Sequence, residues 1–277
     1  MGRYVWAVHV EPSDDRFVSA AGQSPGPTSA GNDELEHFGA VRSRRRTDWR
    51  LGGRAVRRWN TRVLIGALLG GGTGLITSVV LGQTAWSWGT IFSPLALWAG
   101  LVCGVVFAFS RARPAGLLNF RPQDLLWGLG LGLGLRAVQG FAAQANARPF
   151  PTSGWGGEIT SINFWLREIA PAGLIGPVIE ELFFRAVLLV TVFQLLRRGL
   201  GSVSAGLTAA LVSAGSFVLL HASFATSSLA DALQLFLVGL VCAGVVLVTG
   251  RIWSAVLAHM VYNVSFLVLI VVGTVGR

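Results

Sequence analysis

The chain has 277 residues, of which 52% are hydrophobic and only 13% are charged. Because a soluble domain usually carries about 25% charged residues, this composition argues against a soluble fold and predicts a multi-pass membrane protein. The formal net charge is +9, and the two cysteines, Cys103 and Cys242, both lie in apolar stretches, so they indicate neither a disulfide framework nor a metal site.

Residues 1–60 precede the first long apolar stretch and are predicted to be a disordered, basic, cytoplasmic tail. The segment "AGQSPGPTSAGNDELEHFG" mixes Ser, Gly, Pro and acidic residues without periodicity, which predicts disorder. Nine arginines then lie between Arg42 and Arg62. Such a run is compatible with a nucleic-acid site, but the apolar stretch that follows favours a basic segment beside a lipid bilayer. We therefore expect no nucleic-acid partner.

Seven apolar runs, each long enough to cross a bilayer as a helix, follow this tail. The mixed segment 160–171 is predicted to be an interfacial or partly inserted helix that leads into the fourth span, and the count of spans is seven or eight. The predicted fold class is all-α, a polytopic transmembrane helix bundle of about seven spans, with two amino-terminal helices in 61–120 and a core in 121–277. The predicted spans are 63–82, 90–109, 125–142, 172–196, 203–222, 232–250 and 252–274.

Arginines in the loops set the predicted orientation. With the amino terminus inside, the inner loops hold six arginines and the outer loops hold little beyond Arg148 and Arg167, which is the positive-inside pattern. The composition is rich in Arg, Gly, Ala and Val and contains no Lys, as in proteins encoded by GC-rich genomes. We expect an integral protein of a bacterial plasma membrane with a cytoplasmic amino terminus.

Small and polar residues mark two of the early spans. Gly66, Gly70 and Gly74 form one face of the first span, which favours close packing against another span or another copy of the chain. Arg136 and Gln139 lie near the outer end of the third span. Arg136 is expected to snorkel to the interface, and the alternative is a role inside the bundle.

Three later spans carry strongly polar residues that are costly to insert into a membrane. A charged side chain at mid-bilayer costs roughly 2.5–3.5 kcal/mol and persists mainly where it faces protein or water. Buried contacts between helices are one explanation, but Ser, Thr or Asn would serve that purpose at lower cost. Two adjacent carboxylates favour a functional site. The residues are Glu180, Glu181, Arg185, His221, His259 and Asn263.

The two glutamates are predicted to do different work. Glu181 and Arg185 are four residues apart with the acid first, which is the favourable order for an ion pair within a helix. Glu180 points about 100° away around the same helix, so it stays available for chemistry.

The histidines complete a predicted hydrolytic site. His221 follows Phe217 by four residues and His259 precedes Asn263 by four, so each pair shares a helix face. A free carboxylate beside histidines can activate water, and a His with an Asn amide offers donors to a developing oxyanion. This set suits hydrolysis of an amide bond.

A metal is a second possibility at the same residues. Carboxylate and imidazole are ordinary zinc ligands, so Glu180, His221 and His259 could hold a divalent ion such as zinc. The HExxH helix of soluble zinc proteases is absent from the sequence, so no metal is required. We predict no cofactor.

Three motifs, EExxxR at 180–185, FxxxH at 217–221 and HxxxN at 259–263, occur in this order on successive apolar segments. Their order and spacing resemble the CPBP family, which comprises type II CAAX prenyl endopeptidases and Abi-like bacteriocin-processing or immunity proteins. The resemblance covers about residues 120–272. It implies that the core is an intramembrane endopeptidase acting on a membrane-associated protein or peptide.

The same resemblance assigns roles to the polar residues. It implies that Glu180 is the general base that activates water, with His221 beside it, and that His259 and Asn263 stabilise the oxyanion. Descriptions of the family divide between metalloproteases and glutamic proteases, and we favour the second. Bacterial members mostly lack a prenylated substrate, so a true CAAX substrate is not expected.

Three further residues have supporting roles by this resemblance. Glu181 and Arg185 would shape and neutralise the site, and Phe217 would pack behind His221. The oligomeric state is not indicated.

Two other functions stay open at this point. The protein could be a non-catalytic immunity or scaffold protein that keeps the motifs. A proton-coupled or ion-coupled transporter would also use intramembrane Glu and His, but it predicts an inverted repeat, and the first three spans lack counterparts of the motifs.

The depth of the residues in the membrane opposes a shared site. Straight spans place Glu180 and His221 toward the outer side and His259 toward the inner side, which gives a separation on the order of 15 Å. Tilted or shortened helices, or a re-entrant segment around 223–235, are needed to bring them together.

Overall fold

The fold is seen in a computed structural model that describes residues 48–51, 56, 58–86, 88–114, 116–152, 165–224 and 228–276. Every regular element within these segments is helical. The predicted disordered tail and most of the arginine cluster lie outside the described residues. The α-helices are α1 (Thr61–Gln83), α2 (Gly89–Arg111), α3 (Gln123–Ala142), α4 (Gly176–Glu181), α5 (Val190–Ala222), α6 (Leu229–Thr249) and α7 (Trp253–Val275).

Two π-helical segments flank α4 and join it to α5. They are Trp165–Ile175 and Leu182–Leu189, so helical elements follow one another directly from Trp165 to the start of α5. The mixed segment 160–171 therefore leads directly into the fourth span where it is described. Helices of this kind bond i to i+5 rather than i+4 and are frequent at functional sites.

Six helical runs are long and apolar enough to cross a membrane. One of them, Ile169–Ala222, has 54 residues and would be about 80 Å long if straight, far beyond the roughly 30 Å of a hydrocarbon core. Gly201 divides it, because its φ of 75° and ψ of 171° are not helical. The parts before and after Gly201 pack together, since the Ser213 hydroxyl donates to the Phe184 carbonyl at 2.9 Å. The runs thus contain the seven predicted spans.

The glycine face of α1 packs against α2, so its partner is another span of the same chain. A side chain carbon added at Gly74 would lie 2.7 Å from the Gly100 Cα and 2.9 Å from the Ala96 carbonyl oxygen. No real side chain fits such a space. The two helices therefore approach each other backbone to backbone, as small residues allow in membranes.

Polar anchors hold the ends of the bundle together near the loop before α7. The buried Asp124 carboxylate, at the start of α3, lies 2.8 Å from the Arg251 guanidinium and accepts a 2.6 Å hydrogen bond from Ser254. The buried Trp49 indole donates to the Gly250 carbonyl at 3.0 Å. These bonds fix α7 beside α3, which matters because α7 carries two of the predicted site residues.

Replacing Gly74 by Ala should lower the free energy of unfolding by about 1–3 kcal/mol, because the new methyl group forces α1 away from α2. The matched control is Gly72→Ala, since nothing lies within 4 Å of an added carbon at Gly72. That control should be neutral or slightly stabilising, because Ala is the better helix former. Titration of both variants with SDS in mixed micelles measures the difference, and equal stability would contradict the close α1–α2 contact.

Candidate active site

The two adjacent glutamates end α4, and the π-helical segment Leu182–Leu189 starts immediately after them. Phe183, in that segment, packs into the space left by Gly71 of α1 and Gly104 of α2, where an added side chain carbon would lie within 3.0 Å of its ring. The Phe184 carbonyl accepts the hydrogen bond from Ser213 of α5. The segment is thus held from both sides, and this fixes the direction of the carboxylates before it.

Glu181 and Arg185 form a completely buried ion pair. The Arg185 Nε lies 3.2 Å from the Glu181 Oε2, and both side chains are 0% exposed. The angle between them is too poor for a hydrogen bond, so the attraction is electrostatic. A second nitrogen of Arg185 donates to the Gly239 carbonyl of α6 at 3.3 Å, and its guanidinium lies 4.7 Å from the centre of the Phe217 ring.

Glu181 also contacts a histidine, which the sequence did not indicate. The His259 Nδ1 lies 3.0 Å from the Glu181 Oε1. Since a paired carboxylate can only accept, His259 donates from Nδ1, and its Nε2 is turned toward the other glutamate. Glu181 therefore orients His259 in addition to balancing Arg185.

Glu180 is the centre of the polar cluster. Its Oε2 lies 4.0 Å from the His221 Nε2 and 4.0 Å from the His259 Nε2. The Glu180 side chain is 13% exposed, while that of His221 is 31% exposed. Glu180 is thus the accessible member of the glutamate pair. The cluster opens on the side of His221.

The tautomer of His221 follows from its second nitrogen. The Nδ1 lies 2.9 Å from the Phe217 carbonyl oxygen, which can only accept, so Nδ1 carries the proton. In the neutral ring, the Nε2 then presents a lone pair toward Glu180. Two acceptors face each other across 4.0 Å, a distance too long for a direct hydrogen bond and suited to a bridging water.

Phe217 supports both imidazoles from behind. Its buried ring lies 4.4 Å from the His221 ring and 5.5 Å from the His259 ring, measured between centroids. It also packs edge-on against Phe184 at 5.5 Å. One aromatic side chain therefore fixes the positions of both histidines relative to the π-helical segment.

Asn263 lies one turn beyond His259 on α7. Its side-chain nitrogen donates to the Ala172 carbonyl at 2.8 Å, in the π-helical segment before α4. One of its two N–H groups is therefore engaged in holding α7 against this segment. The second N–H is the only one left for a substrate.

The separation of 15 Å expected between Glu180 and His259 is wrong. In the span that carries Glu180, the Gln194 side chain donates to the Trp49 carbonyl at 2.7 Å. Trp49 in turn bonds to Gly250, directly before α7. Gln194, 14 residues after Glu180, and Gly250, nine residues before His259, thus lie at the same end of the bundle, and the Glu180 and His259 side chains approach to 4.0 Å. Residues 229–235 belong to α6, so no re-entrant segment is seen in the described part of 223–235.

A metal ion fits this cluster poorly. Ligands bound to zinc at 2.0–2.1 Å lie about 3.4 Å apart in a tetrahedral site, whereas the Glu180 oxygen is 4.0 Å from each histidine nitrogen. In the part of the chain that the structure describes, no group of three His, Cys, Asp or Glu side chains is arranged to hold a metal.

Arg136 contacts residues of α7 in the bundle. It is half-buried between α3 and α7, and its guanidinium lies 4.0 Å from the centre of the Tyr262 ring. It donates to the Ser265 hydroxyl, the Gln139 side-chain oxygen and the Tyr262 carbonyl. The spacing of Arg136 and Gln139 by three residues was the only signal of this arrangement in the sequence.

Comparison with known proteins supplies an independent finding. Residues 162–265 match the model of the family described as "Type II CAAX prenyl endopeptidase Rce1-like". The match includes all three motifs and confirms the resemblance to the CPBP family. No curated protein and no solved structure matches the chain.

Removing Arg185 should destabilise the fold strongly, because it leaves the Glu181 charge buried without its partner. We expect Arg185→Met to cost about 3–5 kcal/mol of unfolding free energy. The double variant Glu181→Gln/Arg185→Met should recover part of that loss, since no unpaired charge remains. A double-mutant cycle measured by SDS titration tests this, and an Arg185→Met variant as stable as the parent would contradict it.

Proposed function

We propose that residues 162–265, an Rce1-like domain of a protease family, act as an intramembrane endopeptidase on a membrane-associated peptide or protein. The observation that carries the proposal is the position of the Glu180 carboxylate, 4.0 Å from the Nε2 of both His221 and His259. A general base inside a helix bundle must be accessible to water and substrate, and its charge must not be neutralised by a neighbouring cation. Glu180 meets this requirement, and Glu181 does not.

The nucleophile is a water held between Glu180 and His221. Both groups present acceptor lone pairs to the space between them, and a water molecule has two protons to donate. This arrangement turns a lone pair of the water oxygen toward a substrate carbonyl. Glu180, with the larger negative charge, takes the proton as the oxygen attacks the carbonyl carbon.

The tetrahedral intermediate carries a negative oxygen that needs donors. His259, when protonated at Nε2, donates toward this oxyanion, and the N–H of Asn263 that is not bonded to Ala172 adds a second donor. Collapse of the intermediate breaks the C–N bond. Glu180 returns its proton to the leaving amine nitrogen, so one water is consumed and the carboxylate is regenerated.

The buried pair of Glu181 and Arg185 keeps this machinery in place. Glu181 accepts from the His259 Nδ1 and so holds the His259 Nε2 toward the oxyanion position. Arg185 neutralises Glu181 without reaching Glu180. The same carboxylate therefore orients a histidine while its charge stays compensated.

Glu180→Gln should reduce cleavage roughly 100- to 10,000-fold, because the amide cannot accept the water proton. The assay uses purified protein in lipid nanodiscs and a panel of quenched-fluorescent peptides anchored by an acyl or prenyl chain, including peptides that end in a CAAX sequence. The matched control is Asp231→Asn, which removes a carboxylate that caps α6 and lies outside the cluster. Equal cleavage by Glu180→Gln and the parent would overturn the proposal.

Treatment with 1,10-phenanthroline, followed by gel filtration into metal-free buffer, should leave the cleavage rate within about twofold of the untreated rate. The reason is that the donor separations are wider than a zinc site allows. Loss of activity that zinc restores would contradict this and support the metal-dependent alternative at Glu180, His221 and His259.

A further inference from the structure

A cleft lined by three arginines lies at the end of the bundle where α3 begins. It has a volume of about 390 Å³, within the range of about 300–1,000 Å³ that is usual for small-molecule sites. Arg50 precedes α1, Arg121 precedes α3, and Arg251 lies in the loop before α7. This site, the arginine cleft, shares no lining residue with the glutamate cluster.

Two of the three guanidinium groups are held in place by the protein. Arg50 lies 2.8 Å from the Asp48 carboxylate and donates to the Leu247 carbonyl, near the end of α6, at 3.1 Å. Arg251 donates to the buried Asp124 carboxylate from two nitrogens, at 3.0 and 2.8 Å. Since a guanidinium has five N–H groups, each of these arginines keeps at least one that no hydrogen bond between described residues uses.

Arg121 supplies a charge that is not balanced. Its side chain is exposed, and among the ion pairs formed by described residues none includes it. Its backbone N–H donates to the Asp124 carboxylate at 2.8 Å, which fixes the residue at the start of α3. The Asp48 and Asp124 carboxylates offset two of the three positive charges of the cleft, so one remains.

Further arginines make this end of the bundle basic. Arg111 ends α2, and Arg113 lies in the same loop as Arg121. Arg197 of α5 donates to the Arg50 carbonyl at 2.9 Å, which places it beside the cleft. Charges of one sign add to a field that attracts the opposite sign over about 10 Å at moderate salt. The arginine cleft is therefore a recess in a basic surface and should attract anions.

The rim of the cleft adds exposed apolar side chains. Trp127 on α3 is 50% exposed and Val248 on α6 is 75% exposed. Trp127 follows Gln123, at the start of α3, by four residues, so it lies about 6 Å further along the helix. Tryptophan is enriched at the level of lipid headgroups in membranes. A ligand of the cleft would thus have polar groups beside the arginines and an apolar part beside Trp127 and Val248.

We propose that the arginine cleft binds the headgroup phosphate of an anionic phospholipid such as phosphatidylglycerol. The fork of N–H groups on a guanidinium matches two oxygens of a phosphate. The charge left on Arg121 favours a lipid with net negative charge over a zwitterionic one, whose choline would bring a cation to the arginines. The apolar rim favours a lipid over a soluble phosphate, since acyl chains can continue along α3 and α6.

A lipid bound in this way would connect three segments that are distant in the sequence. The three arginines come from the segment before α1, the start of α3 and the loop before α7. A ligand that binds only the folded state stabilises that state. Phosphatidylglycerol should therefore raise the melting temperature of the protein, and this effect should depend on Arg121.

Native mass spectrometry of the full chain in a neutral detergent counts bound lipids and gives their dissociation constants. Neutral micelles carry no surface charge, so a preference between lipids comes from the protein. We expect phosphatidylglycerol to bind about tenfold more tightly than phosphatidylcholine with the same acyl chains. Arg121→Gln should reduce this preference to about twofold, because one arginine beside an anionic lipid contributes about fivefold in affinity.

The matched control is Arg113→Gln, which removes the same charge from another exposed position of the same loop, outside the cleft lining. Its preference for phosphatidylglycerol should stay within about twofold of that of the parent. Among described residues, neither Arg113 nor Arg121 forms an ion pair, so both variants should fold. Equal stability in SDS titration without added lipid checks this.

Each result supports the lipid site or overturns it. Equal binding of the two lipids by the parent would overturn it. So would a preference that Arg121→Gln retains, or one that Arg113→Gln loses to the same extent, since the whole basic surface would then be responsible. If glycerol 3-phosphate displaces phosphatidylglycerol at a similar concentration, the cleft holds a soluble phosphate compound and the lipid proposal is wrong. No peptide is present in these measurements, so their result does not depend on the proposed peptidase function.

Discussion

The buried charge pair of Glu181 and Arg185 is the interaction on which the rest of the site depends. Neither side chain is exposed, and together they connect three parts of the core: Arg185 bonds to Gly239 of α6, Glu181 bonds to His259 of α7, and Phe217 of α5 covers the guanidinium. Two opposite charges in low dielectric must stay together, because either one alone would be costly. This requirement fixes how the core helices meet.

The same pair separates the two glutamates chemically. Glu181 is fully engaged by Arg185 and His259, so it cannot exchange protons with a substrate easily. Glu180, one residue earlier, points to the other side and faces two imidazole nitrogens at 4.0 Å. A helix places adjacent residues about 100° apart. One helical turn thus provides both a fully buried carboxylate and an accessible one.

Backbone contact in the first two helices gives this core a rigid support. Glycines allow α1 and α2 to touch, and Phe183 fills the space that Gly71 and Gly104 leave open. Phe183 follows Glu181 by two residues and directly precedes Phe184, whose carbonyl accepts the hydrogen bond from Ser213. α1 and α2 carry none of the three motifs, but they help to position the EExxxR motif through Phe183. Arg136, between α3 and α7, shows how a cation is kept in a span by aromatic rings and neutral oxygens.

The sequence by itself determined the spans, the ion pair and the candidate residues, because each of these depends on local rules. Apolar length predicts a helix across a bilayer, and spacing by four places Glu181 beside Arg185 on one helix. Three motifs in order also indicated the family. The sequence could not determine the depth of Glu180 relative to His259, since depth depends on where a helix ends in space and how it tilts. In the structure, the Glu180 Oε2 lies 4.0 Å from the His259 Nε2. Only the tertiary structure could decide that His259 bonds to Glu181 and that Arg136 contacts α7, because both contacts join helices far apart in the chain.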